Sequence, residues 1–215
     1  MDYTMLRQRM VQLLEIDGTI RTESVRKAML ETPRHLYVPE RLRHLSYEDA
    51  PLPIGGGQTI SAPHMVAIMC EALQLREGEK VLEIGAGSGY HAAVMSRIVG
   101  DGGMVYSVER FPELAEQARA NIESDGRKNV RVAVGDGTEG LPEFAPYDAV
   151  IVACAAPEIP KPLVEQTKEG RRILIPIGRM PSDLTLAHKT KGGLDCDYVC
   201  GCMFVPLVGK YGFNG

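Results

Sequence analysis

The segment of this sequence best suited to chemistry contains an acidic residue followed by three glycines at every second position. Residues 80–90 read KVLEIGAGSGY, and they predict a short buried strand, a glycine turn and the start of a helix over 90–99. Such a turn brings bare backbone close to a ligand at a helix N-terminus. The pattern differs from the Gly-x-Gly-x-x-Gly of dinucleotide sites, and the Glu83 carboxylate would repel a pyrophosphate and attract an amino group. We therefore predict a site for a cationic, amino-acid-bearing nucleoside, formed by Glu83, Gly85, Gly87, Ser88, Gly89 and Tyr90.

Two further acidic residues follow apolar segments that predict the next strands. Residues 104–108 lead into Glu109, about 20 positions beyond the glycines, where a carboxylate can hold two ribose hydroxyls. Residues 130–134 lead into Gly135-Asp136-Gly137, and we place Asp136 and Gly137 at the adenine edge. The alternative is a nucleotide-free domain whose glycines serve only the turn. Acidic residues at three successive strand ends argue against that alternative.

The elements that must position these residues alternate from Lys80 onward. Asp148 to Cys154 is nearly continuous apolar sequence, which is typical of a central strand in a parallel sheet. Further elements are a helix over 111–124, a helix from Pro160 ended by Gly170, a strand over 172–177 and an antiparallel pair over 184–188 and 198–205. We predict an α/β fold, a doubly wound, Rossmann-like and mostly parallel sheet with a C-terminal antiparallel pair and a cofactor at the strand carboxyl ends.

The first 75 residues predict an N-terminal helical elaboration of this sheet. Helices are expected over 4–16, over 22–31 with Thr22 as N-cap, and from Pro63 to about residue 75. The proline- and glycine-containing stretch 32–60 predicts an irregular functional loop. We interpret 1–215 as a single domain, with a cap and substrate segment over 1–60, a cofactor-binding core over 76–180 and closing strands over 181–215.

Three further motifs point to a family. They are RHLYVP over 34–39, with Tyr37 where Phe is usual, GQTISAPHM over 57–65, and FVPL over 204–207. With the glycine loop, they resemble the protein-L-isoaspartate O-methyltransferases over roughly residues 20–210. The resemblance implies a protein carboxyl O-methyltransferase that uses S-adenosyl-L-methionine and releases S-adenosyl-L-homocysteine. Its implied substrate is the free α-carboxylate of L-isoaspartyl residues in damaged proteins and peptides, whose repair the reaction initiates.

The resemblance also implies a catalytic residue, Ser61, and a substrate-binding segment that includes Thr59, Ile60 and Val38. A hydroxyl at Ser61 could donate to the substrate carboxylate and orient it, and a role in helix capping alone is the alternative. His64 suggests a Ser–His hydrolase, but no acidic partner is evident in the sequence. Residues 86–90 also fail the Gly-x-Ser-x-Gly pattern of hydrolases.

Composition limits the remaining classes of function. The net charge of −4 and the pI of about 5.8 give no electrostatic reason to expect a nucleic-acid partner. No apolar run could span a bilayer, and the N-terminus is amphipathic, so we expect a cytoplasmic protein without a membrane partner. We also expect a monomer. Cys196, Cys200 and Cys202 lack the further ligands of a tetrahedral site, so no metal is expected.

Two alternatives to an isoaspartyl methyltransferase stay open. One is a methyltransferase acting on a small molecule or RNA, and the other is a non-catalytic S-adenosylmethionine-binding module.

Overall fold

The structure, a computed structural model, describes residues 2–214 as α-helices around a seven-stranded sheet, with a separate two-stranded hairpin. Met1 and Gly215, which the predicted domain includes, lie outside the described residues. The strands are β1 (Leu52–Gly55), β2 (Gln58–Ile60), β3 (Lys80–Ile84), β4 (Met104–Glu109), β5 (Val130–Val134), β6 (Tyr147–Val152), β7 (Thr167–Ile177), β8 (Ser182–Thr190) and β9 (Gly193–Cys202). The helices are α1 (Tyr3–Ile16), α2 (Glu23–Glu31), α3 (Pro63–Leu73), α4 (Tyr90–Ile98), α5 (Pro112–Ser124) and α6 (Lys161–Gln166).

The large sheet has the order β5-β4-β3-β6-β7-β8-β9, which confirms the predicted fold class. Strands β3 to β7 pair in parallel, and β8 and β9 add an antiparallel pair at one edge. The chain runs outward from β3 to β5 and then crosses back to β6 on the other side of β3. This reversal leaves a crevice at the carboxyl ends of β3 and β6, where open α/β sheets bind their ligands.

Both faces of the central strands are buried. Side chains alternate between the two faces of a strand, so neighbouring residues enter different apolar clusters. Val81 and Ile151 point to one apolar cluster, which also contains residues of α1 to α5. Leu82 and Val150 point to the other, which contains residues of α6 and the C-terminal segment. Helices therefore cover both faces, and ligand access is left to the edge where the strands end.

The stretch 32–60 is more ordered than the sequence predicts. It contains two 3₁₀ helices, Arg34–Tyr37 and Glu40–Leu45, and the hairpin of β1 and β2. The glycines of the hairpin turn, residues 55–57, all have positive φ, a conformation that side chains disfavour. The predicted irregular loop is therefore wrong over 52–60, where three adjacent glycines form a turn between two short strands.

The predicted boundaries of two later elements are also wrong. Helix α6 ends at Gln166, whose side chain accepts from Leu141 N and donates to Glu139 O. Gly170, expected to end this helix, lies inside β7. Strand β9 ends at Cys202, so residues 203–205 leave the sheet instead of continuing the predicted strand.

A buried ion pair fixes the first 3₁₀ helix against the sheet-covering helices. Arg97 of α4 donates to both carboxylate oxygens of Asp125 at 2.8 Å, and the Tyr37 hydroxyl donates to the same carboxylate at 2.6 Å. Arg97 and Asp125 are 9% and 4% exposed. Tyr37, the residue that departs from the family motif, therefore gives the segment 34–37 a hydrogen bond that phenylalanine would lack.

Within residues 2–214, no helix is long and apolar enough to cross a membrane. The same residues contain no group of three or more His, Cys, Asp or Glu side chains arranged to hold a metal ion. Cys196 is exposed on β9, Cys200 is half-buried and Cys202 is buried, and all three are free thiols.

Candidate functional site

A cavity of about 240 Å³ opens at the carboxyl ends of β3, β4 and β6. Its walls come from parts of the chain that are far apart in sequence, namely residues 57–61, 66, 84–88, 90–91, 108–111, 137, 153–154 and 205–208. The glycine loop, the end of β4 and the segment containing Ser61 therefore meet in one place. Of the predicted site residues, Gly85, Gly87, Ser88, Tyr90, Glu109, Gly137, Thr59, Ile60 and Ser61 line this cavity.

The glycine loop has the geometry that its sequence predicts, a tight turn between β3 and α4. Gly85, Gly87 and Gly89 have φ values of 93°, 52° and 85°. A Cβ on Gly85 would lie 3.0 Å from Cys154 Sγ, and one on Gly89 would lie 3.0 Å from an Ile122 methyl carbon. Both positions therefore need glycine for backbone conformation and for space. Gly89 itself serves as the N-cap residue of α4 and does not line the cavity.

Glu109 ends β4 with its carboxylate already oriented. Its Oε2 accepts a hydrogen bond from Gly87 N at 2.9 Å, and its Oε1 accepts one from Phe111 N at 3.1 Å. A carboxylate offers about four acceptor positions, so these two bonds leave capacity for hydroxyl groups of a ligand. Because the side chain is only 5% exposed, its remaining acceptor capacity is available mainly from the cavity.

Glu83 lies deeper than expected, fully buried and outside the cavity wall. Its Oε2 accepts a hydrogen bond from the Ser107 hydroxyl, whereas its Oε1 has no hydrogen-bond partner among residues 2–214. Burial raises the pKa of Glu83 to about 8, and the nearby Glu109 carboxylate adds to the effect of burial. His91, whose Nδ1 is 3.9 Å from Glu83 Oε1, lines the cavity, and burial lowers its pKa to about 4.

Asp136 is engaged by the protein itself. Its Oδ1 accepts from the Thr138 amide and hydroxyl at 2.8 and 2.7 Å, and its Oδ2 accepts from Lys210 N at 2.8 Å. The side chain does not line the cavity, although Gly137 does. Asp136 thus ties the C-terminal segment to the end of β5, and residues 205–208 of that segment form part of the cavity wall.

Ser61 lies between β2 and α3 with its hydroxyl free of hydrogen bonds to residues 2–214. The N-cap residue of α3 is Ala62, which has no side-chain cap, and Pro63 occupies the first turn. Asp49 caps the helix instead, because its Oδ1 accepts from His64 N at 2.9 Å. The structure thus gives the Ser61 hydroxyl no capping bond. Val38 is 2% exposed and lies outside the cavity wall.

The sequence showed no acidic partner for His64, but the structure provides one. His64 Nδ1 lies 3.0 Å from both carboxylate oxygens of Asp49, fifteen residues upstream. No hydrogen bond joins the His64 ring to Ser61 within the described chain, so the three residues do not form a hydrolase triad.

The sequence did not reveal that His91, Arg110 and Phe111 lie on the cavity wall, or that residues 205–208 line it. The FVPL motif was the one sequence signal for residues 205–208.

Comparison with known proteins agrees with this geometry. Residues 5–212 match the family model described as protein-L-isoaspartate(D-aspartate) O-methyltransferase. A protein-L-isoaspartate O-methyltransferase of Hyperthermus butylicus is 55% identical, with 97% of this chain and 90% of the relative covered. One from Methanothrix thermoacetophila is 56% identical over 90% of this chain and 91% of the relative.

Two solved structures share the whole fold. A protein-L-isoaspartate O-methyltransferase superimposes with a TM-score of 0.88 at 36% identity, covering 96% of this chain and 67% of the other. A structure from Plasmodium falciparum, described as a putative enzyme of the same type in complex with S-adenosyl-L-homocysteine, gives 0.84 at 28% identity, covering 94% and 98%. The resemblance of the glycine loop and the three motifs is thereby confirmed, and this chain belongs to the protein-L-isoaspartate O-methyltransferase family.

Proposed function

We propose that this chain is an S-adenosyl-L-methionine-dependent methyltransferase that esterifies the free α-carboxylate of L-isoaspartyl residues in damaged proteins and peptides. The observation that carries the proposal is that the Ser61 hydroxyl, which has no partner in the described chain, lines the same cavity as the fixed Glu109 carboxylate. One residue is suited to orienting a substrate and the other to holding a nucleoside. Family membership favours the same substrate and reaction.

The residues present fit a sulfonium amino-acid nucleoside. The free acceptor capacity of Glu109 suits the two ribose hydroxyls, and the loop 85–89 allows the ligand to approach bare backbone. Gly137 leaves a wall without a side chain for the base, and Glu83, which is fully buried outside the wall, makes no contact with the ligand in this proposal. Asp136, whose carboxylate oxygens already accept three hydrogen bonds, supports that wall in this proposal.

The chemistry asks the protein mainly to bind and orient. When bound, S-adenosylmethionine supplies an electrophilic methyl group on a positively charged sulfur. The attacking carboxylate is ionised at neutral pH, since its ordinary pKa is about 4, and no general base is needed. Ser61 would donate a hydrogen bond to this carboxylate and fix the direction of its attacking oxygen. Positioning of the two reacting groups contributes most of the acceleration.

The hairpin turn gives a physical basis for recognising the isoaspartyl backbone. Residues 55–57 are exposed glycines, so a peptide can approach their backbone without meeting side chains. Backbone contacts do not depend on the sequence of the peptide. An isoaspartyl residue carries its free carboxylate on the α-carbon, one methylene nearer the chain than an aspartyl side chain does. We therefore expect strong preference for isoaspartyl over aspartyl peptides and weak dependence on flanking residues.

The test is a radiolabelled methyl-transfer assay on matched isoaspartyl and aspartyl peptides, with RNA as a third substrate. A displacement of about 1 Å can cost about 100-fold in rate, so the aspartyl peptide should react at least that much more slowly. Equal rates on the two peptides would contradict the substrate assignment. Methylation of RNA alone would favour the RNA methyltransferase instead, and cofactor binding without transfer to any substrate would favour a non-catalytic module.

The remaining parts of the proposal are a monomeric, cytoplasmic, single-domain enzyme with no nucleic-acid or membrane partner. The net charge of −4 supports the absence of a nucleic-acid partner. Size-exclusion chromatography with light scattering would test the oligomeric state.

A further inference from the structure

A buried arginine connects the Ser61 segment to the helix that follows the glycine loop. Arg34 is 0% exposed. Its Nη2 donates to the Ser61 carbonyl at 2.8 Å, and its Nε donates to the Ser46 carbonyl at 2.8 Å. Its guanidinium carbon lies 4.8 Å from the centre of the Tyr90 ring, which lines the cavity. A single side chain therefore contacts the backbone of the candidate catalytic residue and the first residue of α4.

We propose that Arg34 is a positioning residue for methyl transfer, which acts by holding the backbone of Ser61 so that the Ser61 hydroxyl meets the substrate carboxylate. This role rests on the proposed function. The guanidinium is planar and rigid, so the hydrogen bond to the Ser46 carbonyl and the contact with the Tyr90 ring fix the direction of the hydrogen bond to the Ser61 carbonyl. Since the Ser61 hydroxyl itself has no partner in residues 2–214, its position depends on its backbone.

The surroundings of Arg34 favour this role over a purely structural one. A buried cation usually has an acidic partner, as Arg97 has in Asp125. Arg34 makes no ion pair among residues 2–214 and is stabilised only by carbonyl oxygens and an aromatic face, while its Nη1 has no hydrogen-bond partner there. Burying a charge in this way is costly, and a neutral apolar side chain could fill the space at less cost. What an apolar side chain could not do is hold two carbonyl groups in a fixed relative geometry.

The experiment is a double-mutant cycle on methyl transfer to an isoaspartyl peptide, with Arg34→Gln, Ser61→Ala and the two combined. Arg34→Gln should lower kcat about 10- to 100-fold, while KM for S-adenosylmethionine stays within about threefold of the wild-type value. In the Ser61→Ala background, the same change should lower kcat by less than about threefold, because the hydroxyl that it positions is already gone. Arg172→Gln is the matched control: Arg172 is a buried arginine of β7 that is paired with Glu79 and lies outside the cavity wall, so its loss should lower Tm and change kcat by the same factor in both backgrounds.

The outcomes separate the two proposals. If Arg34→Gln lowers kcat by the same factor in the wild-type and Ser61→Ala backgrounds, the positioning role is overturned and the proposed function is left intact. A wild-type protein that transfers no methyl group would overturn the proposed function and this role with it. If Arg34→Gln does not fold, the cycle is run with Arg34→Lys, which keeps the charge and can bond one of the two carbonyls. Its kcat should fall between those of the wild type and Ser61→Ala, and independence from Ser61 would again overturn the role.

Discussion

Replacing Glu83 by glutamine should remove a pH dependence of folding stability that this buried carboxyl group creates. Burial raises the pKa of Glu83 to about 8 in the folded protein, against an ordinary value of 4.5. The folded state therefore keeps a proton that the unfolded chain releases at much lower pH. For a raised pKa, the stabilising contribution is complete below the unfolded value and is lost as pH rises through the folded value.

The neighbouring His91 has the opposite effect, but in a lower pH range. Burial lowers its pKa to about 4 from 6.5, so its contribution to stability rises with pH and is nearly complete at pH 6.5. The small remaining rise is shared by the wild type and the Glu83→Gln variant and cancels in their comparison. Between pH 6.5 and 8, Glu83 is therefore the member of this pair that lowers stability. Over these 1.5 pH units, ionisation favours the unfolded chain by about 2 kcal/mol. Half-ionisation of the folded form at pH 8 offsets a small part of this change, leaving a net loss of about 1–2 kcal/mol.

Urea unfolding of the ligand-free wild type and Glu83→Gln at pH 6.5, 7, 7.5 and 8 measures this difference. The free energy of unfolding of the wild type should fall by about 1–2 kcal/mol relative to the variant across the series. Glu77→Gln, which replaces an exposed carboxylate, is the control and should follow the wild type. Parallel curves for wild type and Glu83→Gln would show that Glu83 is already ionised in the folded protein, and would refute the reasoning.

Three further substitutions test the site and its support. Ser61→Ala should lower kcat tens-fold, equivalent to about 1–3 kcal/mol of barrier, with cofactor affinity unchanged by calorimetry; full activity with a lower Tm would assign Ser61 a structural role only. Glu109→Ala should weaken S-adenosylmethionine binding by about 1.5–3 kcal/mol per lost hydrogen bond, and calorimetry that shows tight NAD binding and none for S-adenosylmethionine would contradict the assignment. Tyr37→Phe should lower the free energy of unfolding by about 1.5–3 kcal/mol through loss of the bond to the Asp125 carboxylate, and an unchanged urea midpoint would show that this bond contributes nothing net.

The sequence predicted those parts of the site that depend on local pattern. The strand, glycine turn and helix over 80–99 form one contiguous unit, and the acidic strand ends follow directly from parallel pairing. The hairpin over 52–60 was missed because three glycines between prolines predict flexibility, and only the pairing of Leu52 with Ile60 reveals the strands.

Contacts between distant side chains could not be read from the sequence. Asp49 caps α3 from a separate 3₁₀-rich segment, and no spacing rule connects it to His64. The depth of Glu83 depends on Ser107 in the neighbouring strand, and the engagement of Asp136 depends on Lys210, seventy-four residues later. The sequence marks Arg34 only through the RHLYVP motif, because its contact with the Ser61 carbonyl exists only in the folded chain.

Residues 205–208 complete a cavity wall that otherwise comes from residues 57–154, and this order along the chain has a consequence for how the protein is made. During translation, the domain can begin to fold once the central strands through β6 have emerged from the ribosome. At that stage residues 205–208 have not yet been synthesised, so the nascent chain lacks one wall of the cavity. Ligand binding stabilises the state that binds the ligand, so the stabilisation by S-adenosylmethionine becomes complete when residues 205–208 have docked onto the cavity.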